Sequence, residues 1–99
     1  MTAPIAARIL VAEDEALIRM DLVEMLTEAG YDVVAQASNG EEAIALAHEH
    51  KPDLAILDVK MPVLDGISAA EEIISIAPVL MLTAFSQKEL VERARDAGV

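Results

Sequence analysis

Three runs of four apolar residues, Ile9-Leu10-Val11-Ala12, Leu54-Ala55-Ile56-Leu57 and Val79-Leu80-Met81-Leu82, constrain the fold of this chain more than any other feature. Each is too short for an ordinary helix and too continuously apolar for a strand with one wet face. Each therefore reads as a parallel strand buried on both sides. A polar residue follows every run: Glu13 and Asp14 after the first, Asp58 after the second, Thr83 after the third. In an open α/β sheet the carboxyl ends of the strands border the ligand crevice. One crevice would then collect three carboxylates and a hydroxyl.

The intervening segments turn helical. From Glu15 to Ala29, the apolar residues Ile18, Leu22, Met25, Leu26 and Ala29 recur at helical spacing, with Arg19, Asp21, Glu24 and Glu28 between them and Gly30 as the stop. Val33 to Ala37 is a second strand, less apolar and so nearer an edge. Ser38-Asn39-Gly40-Glu41 has the spacing of a capping box and opens a helix to about His50 that buries Ala43, Ile44 and Ala47; Lys51-Pro52 ends it. After the third strand and a loop from Lys60 to Asp65, a third helix runs from about Gly66 to Ser75. Ser86-Gln87-Lys88-Glu89 starts a fourth, burying Leu90, Val91 and Ala94 and stopping at Gly98. Strand and helix alternate four times with short connections, the pattern of a doubly wound α/β domain with a parallel sheet covered on both faces. Residues 8–99 form that domain and 1–7 a loose leader.

Composition narrows the function classes. Ninety-nine residues make one domain, and a 55% hydrophobic share with one Tyr, one Phe and no Trp gives an aliphatic interior. Met20, Met25 and Met81 fit core or near-core positions. A net charge of −11 repels phosphate backbones and anionic lipid, which argues against direct nucleic-acid or membrane binding. Without cysteine there is no disulfide or thiolate chemistry, which suits the cytoplasm. No stretch is long and apolar enough to span a bilayer, and the first eight residues lack the pattern of a signal peptide. His48 and His50 flank a polar helix end and read as solvated.

Three carboxylates in one crevice repel: like charges about 4 Å apart cost roughly 4 kcal/mol at an effective dielectric near 20. They need a proton or a cation. Hard oxygen donors with no His or Cys nearby favour Mg²⁺, which also shields an incoming phosphate. A carboxylate beside it could then act as a nucleophile, and Thr83 could donate to a phosphoryl oxygen. Taken alone, Asp14 could simply be a helix N-cap. Capping does not explain Asp58, which precedes the loop Val59 to Leu64 rather than a helix.

Val11-Ala12-Glu13-Asp14-Glu15, Leu57-Asp58-Val59-Lys60-Met61-Pro62-Val63-Leu64-Asp65-Gly66 and Met81-Leu82-Thr83-Ala84 resemble, in order and near spacing, the three signature segments of bacterial response-regulator receiver domains. The resemblance covers residues 8–98 and implies a flavodoxin-like fold of strand order 2-1-3-4-5. It implies Asp58 as phospho-acceptor, Asp14 as a direct Mg²⁺ ligand, Glu13 reaching the ion largely through water, and the backbone carbonyl of Lys60 as a further ligand. Thr83 would bond the phosphoryl group, with the small Ala84 beside it, and Met61, Pro62 and Gly66 would shape the loop. The expected donor is the phosphohistidine of a sensor histidine kinase. Such a domain is not an enzyme in the ordinary sense, catalysing only its own phosphotransfer and dephosphorylation.

A finer similarity joins Glu13-Asp14-Glu15-Ala16-Leu17-Ile18-Arg19-Met20-Asp21-Leu22 and Thr83-Ala84-Phe85-Ser86-Gln87 to the receivers of ANTAR antiterminators, which precede a helical RNA-binding output domain. Against the family, the chain stops at Asp96-Ala97-Gly98-Val99, where the fifth strand is due. The expectation is a receiver truncated before that strand, without the family's Lys-Pro pair, switch aromatic and last helix. The apolar fourth strand would then be an exposed edge that invites a homodimer. The competing class is a degenerate receiver working as a phosphorylation-independent interaction module. A small-molecule phosphohydrolase fits poorly, because Lys60 stands where such enzymes resemble one another in carrying a second acid.

Overall fold

The computed structural model describes residues 6–61 and 63–82. Within them run β1 (Arg8–Ala12), α1 (Ala16–Glu28), β2 (Asp32–Ala37), α2 (Gly40–His50), β3 (Leu54–Asp58), α3 (Gly66–Ile73) and β4 (Val79–Leu82). All neighbouring strands are parallel, in the order β2-β1-β3-β4, and β2 lies at an edge as its weaker apolar character suggested. The fourth helix expected from Ser86 lies outside the described residues.

The continuous apolar runs are explained by the two faces of the sheet. Ile9, Val11 and Ile56 point to one side and pack with Leu22, Val23 and Leu26 of α1. Leu10, Ala12, Ala55 and Leu57 point to the other, against Ala43 and Ala47 of α2 and Ala69, Ala70 and Ile73 of α3. Alternate side chains therefore bury on opposite faces, and the small alanines let two helices approach one face closely.

Three details correct the sequence reading. No residue of α1 is fully buried: Ile18, Met25 and Ala29 turn outward, with Met25 65% exposed. At 100° per residue, Leu22, Val23 and Leu26 share an arc roughly a quarter turn from Ile18, Met25 and Ala29, and that arc meets the sheet. Met20 also turns outward, at 61% exposure. The cap of α2 is displaced by one residue. Asn39 is the N-cap and its side chain accepts from the N–H of Glu42 at 2.8 Å, while Glu42 accepts from the N–H of Ser38 at 3.2 Å. The third helix ends at Ile73, two residues earlier than expected.

The helix ends otherwise follow local chemistry. Gly30 at φ +98° closes α1, its N–H donating to Thr27 and that of Tyr31 to Leu26, a complete Schellman pattern. Lys51 ends α2 in the left-handed region, just before Pro52. Asp65 caps α3 by accepting from the N–H of Ser68 at 2.8 Å. Among the described residues, no helix is long and apolar enough to cross a membrane.

Candidate functional site

Adjacent parallel strands in register bring their last residues together. β1 pairs with β3 up to Ala12 opposite Leu57, so Glu13 and Asp14 leave one strand beside Asp58 at the end of the other. Ligand oxygens of Glu13, Asp14 and Asp58 all lie within 4.8 Å of one another. Glu13 is drawn inward because its N–H continues the ladder to the carbonyl of Ala37, 3.0 Å away, and it is only 6% exposed. Asp14 is exposed and Asp58 half-buried, so the cluster opens to solvent.

The turn that holds the acidic pair is tied from both sides. The N–H of Glu15 donates to the Glu13 carboxylate at 3.1 Å, and the Arg19 guanidinium donates to the Glu13 main-chain carbonyl at 2.7 Å. Sequence reasoning passed over Arg19 as a solvated helix residue. Its signal was a lone cation one turn into a helix that follows an acidic run. The N-cap of α1 is Glu15, without a side-chain cap bond, so Asp14 is not engaged as a helix cap.

Crowding leaves its mark on the acids. Burial, above all, raises the Glu13 carboxyl from 4.5 to about 7. The Glu15 N–H opposes this, while hydrogen bonds to Asp14 and Asp58 and the charge of Asp58 add to it. Asp58 is also raised, first by burial and then by the charge of Asp14. The hydrogen bond from Glu13 and the N–H groups of Lys60 and Val59 pull it back. That shared bond acts in opposite directions on the two acids, raising Glu13 and lowering Asp58. The cluster is thus short of positive charge, and its donors are all hard oxygens, a set that suits a small divalent cation.

Of the other expected residues, Lys60 is exposed in the loop after Asp58, Met61 is buried beneath that loop, and Gly66 opens α3. Pro62, Thr83 and Ala84 lie outside the described residues. The residue before Thr83, Leu82, pairs with Asp58, and its carbonyl accepts from the N–H of Val59 at 3.1 Å. His48 is exposed, and His50 is 3.9 Å from Glu49; neither joins the acidic cluster.

Comparison with known proteins agrees with this arrangement. Residues 9–99 match the family described as response regulator receiver domain. The transcriptional regulatory protein PdtaR of Mycobacterium tuberculosis is 65% identical over 98 residues, covering 97% of this chain and 48% of PdtaR. The chain thus spans about half the length of that relative. The chemotaxis protein CheY of Bacillus subtilis is 42% identical over 96 residues, covering 94% of this chain and 80% of CheY. The receiver domain of the putative response regulator NarL from Mycobacterium tuberculosis superposes with a TM-score of 0.91 at 33% identity, covering 95% of this chain and 79% of that one. A chain of the CheX-CheY-BeF3-Mg²⁺ complex from Borrelia burgdorferi gives 0.87 at 28% identity, covering 93% and 72%. The chain belongs to the response-regulator receiver domain family, the signalling domain of two-component systems.

Proposed function

We propose that this domain accepts a phosphoryl group on Asp58 from the phosphohistidine of a sensor histidine kinase. The observation that carries the reading is the convergence of Glu13, Asp14 and Asp58 within 4.8 Å at the ends of two neighbouring strands. In the transfer a carboxylate oxygen of Asp58 attacks phosphorus, the phosphorus–nitrogen bond breaks, and the imidazole keeps the electron pair. Asp14 and Asp58 would hold Mg²⁺ directly, with Glu13 acting largely through water and the Lys60 carbonyl completing the protein's share. The bound ion would offset the charge of the carboxylates and of the incoming phosphoryl oxygens. Thr83, with Ala84 beside it, would donate to a phosphoryl oxygen. The superposed chemotaxis complex contains BeF3 and Mg²⁺, which supports Mg²⁺ as the cation of this reading.

The output we assign is RNA-binding antitermination, through a domain C-terminal to this one. It rests on the similarity of Glu13 to Leu22 and Thr83 to Gln87 to antiterminator receivers, and on the 65% identity to a transcriptional regulator twice as long. The cytoplasm is the compartment we assign, because a histidine kinase presents its phosphohistidine there.

A Mg²⁺ titration followed by thermal unfolding tests the site. The wild-type chain should gain stability with Mg²⁺, and Asp14→Asn should need a markedly higher concentration for the same gain. A wild-type chain indifferent to Mg²⁺ would favour the degenerate interaction module instead. β4 also remains a candidate edge for pairing two copies, since it is the last strand on its side among the described residues and Leu80 is half exposed. Sedimentation should then show association that grows with concentration; a monomer at every concentration contradicts it.

A further inference from the structure

Among the described residues, the loop that follows Asp58 is held at its start, at its end and from across the fold. At its start the Val59 N–H donates to Leu82 and the Val59 carbonyl accepts from the Gly66 N–H at 3.0 Å. At its end Asp65 caps α3. The third hold comes from across the fold: the N–H of Gly40, the first residue of α2, donates to the carbonyl of Leu64 at 3.0 Å. Gly40 is buried there, and the approach is so close that a Cβ at this position would overlap the Leu64 carbonyl oxygen and stand 2.8 Å from its carbon. Such a Cβ would meet the carbonyl group and Cβ of Leu64, not the far end of a flexible side chain.

The loop needs that hold. Val63, next to Leu64, sits in the left-handed region at φ +70° and is 73% exposed. A β-branched residue keeps such a conformation only where its surroundings impose it, and exposure leaves it no packing of its own to do so.

We propose that Gly40 is a positioning residue for the phosphoryl-acceptor site. It touches none of the three carboxylates. By holding Leu64 it fixes the far end of the loop whose near end carries Asp58 and the Lys60 carbonyl. This rests on the reading of Asp58 and its neighbours as a Mg²⁺ and phosphoryl site.

The test is Gly40→Ala in the full chain, compared with Ile73→Val, a buried change in α3 away from the loop. Mg²⁺ affinity and the rate of phosphorylation by acetyl phosphate at saturating Mg²⁺ are measured beside thermal stability. Gly40→Ala should weaken Mg²⁺ binding severalfold and slow phosphorylation, while Ile73→Val lowers stability and leaves Mg²⁺ affinity unchanged. Wild-type affinity in Gly40→Ala, or an equal loss in both variants, overturns the proposal. A wild-type chain that binds no Mg²⁺ overturns the site reading itself, a result distinct from either. Should Gly40→Ala fail to fold, Asn39→Ala takes its place, because it removes the cap that fixes the turn presenting the Gly40 N–H. Weakened Mg²⁺ binding in that variant supports the proposal, and unchanged binding overturns it.

Discussion

Between pH 4.5 and about 7 the Glu13 carboxyl keeps a proton in the folded chain that it gives up when the chain unfolds. The folded state binds more protons across that window, so stability falls as pH rises through it and levels off above 7. The difference corresponds to on the order of 3 kcal/mol. In metal-free buffer, urea unfolding should show this loss in the wild type and a much flatter profile in Glu13→Gln. Parallel profiles would mean that Glu13 does not carry the proton. Bound Mg²⁺ requires the ionised acids, so its affinity should rise with pH through the same window. At this scale the acids were legible because each directly follows an apolar run. Arg19 was not, because its bond to the Glu13 carbonyl depends on how tightly the turn folds back on α1.

Among the elements, the loop between β3 and α3 holds the clearest conflict between a residue and its conformation. Val63 occupies a left-handed geometry that costs an ordinary residue roughly 1–2 kcal/mol and that Asn adopts readily. Its side chain is mostly exposed, so little packing is lost on replacement. Val63→Asn should therefore raise stability by about 1 kcal/mol in urea unfolding; a loss of stability would contradict the strain. Nothing in the residue type announces this geometry, which is imposed by the contacts of Val59 before it and of Leu64 and Gly66 after it. The strands β1 and β3 were legible because burial on both faces demands unbroken apolar runs; β4 has the same run, but its residues are only partly buried and Leu80 is half exposed. The facing of α1 was less so: periodicity defines a stripe but not which part of it meets the sheet, and Leu22, Val23 and Leu26 took that place. Two overlapping pairs, Ser38 with Glu41 and Asn39 with Glu42, satisfied capping spacing at α2, and the extended backbone of Asn39 with its bond from the Glu42 N–H decided between them.

Across the whole molecule, the parallel sheet has helices on both faces, and its strand ends gather acids from β1 and β3 into one mouth. Solved receivers only 28–33% identical superpose with TM-scores of 0.87–0.91, so the fold rests on the pattern of apolar runs far more than on particular core residues. The site depends instead on individual side chains, and in the proposed reading Asp58 is the one whose chemistry defines it. Intact mass after incubation with acetyl phosphate and Mg²⁺, with Asp58→Asn in parallel, tests this most directly. The account predicts a single added phosphoryl group on the wild-type chain and none on the variant. A wild-type chain that binds Mg²⁺ yet gains no phosphoryl group, or a variant that gains one equally, would contradict it.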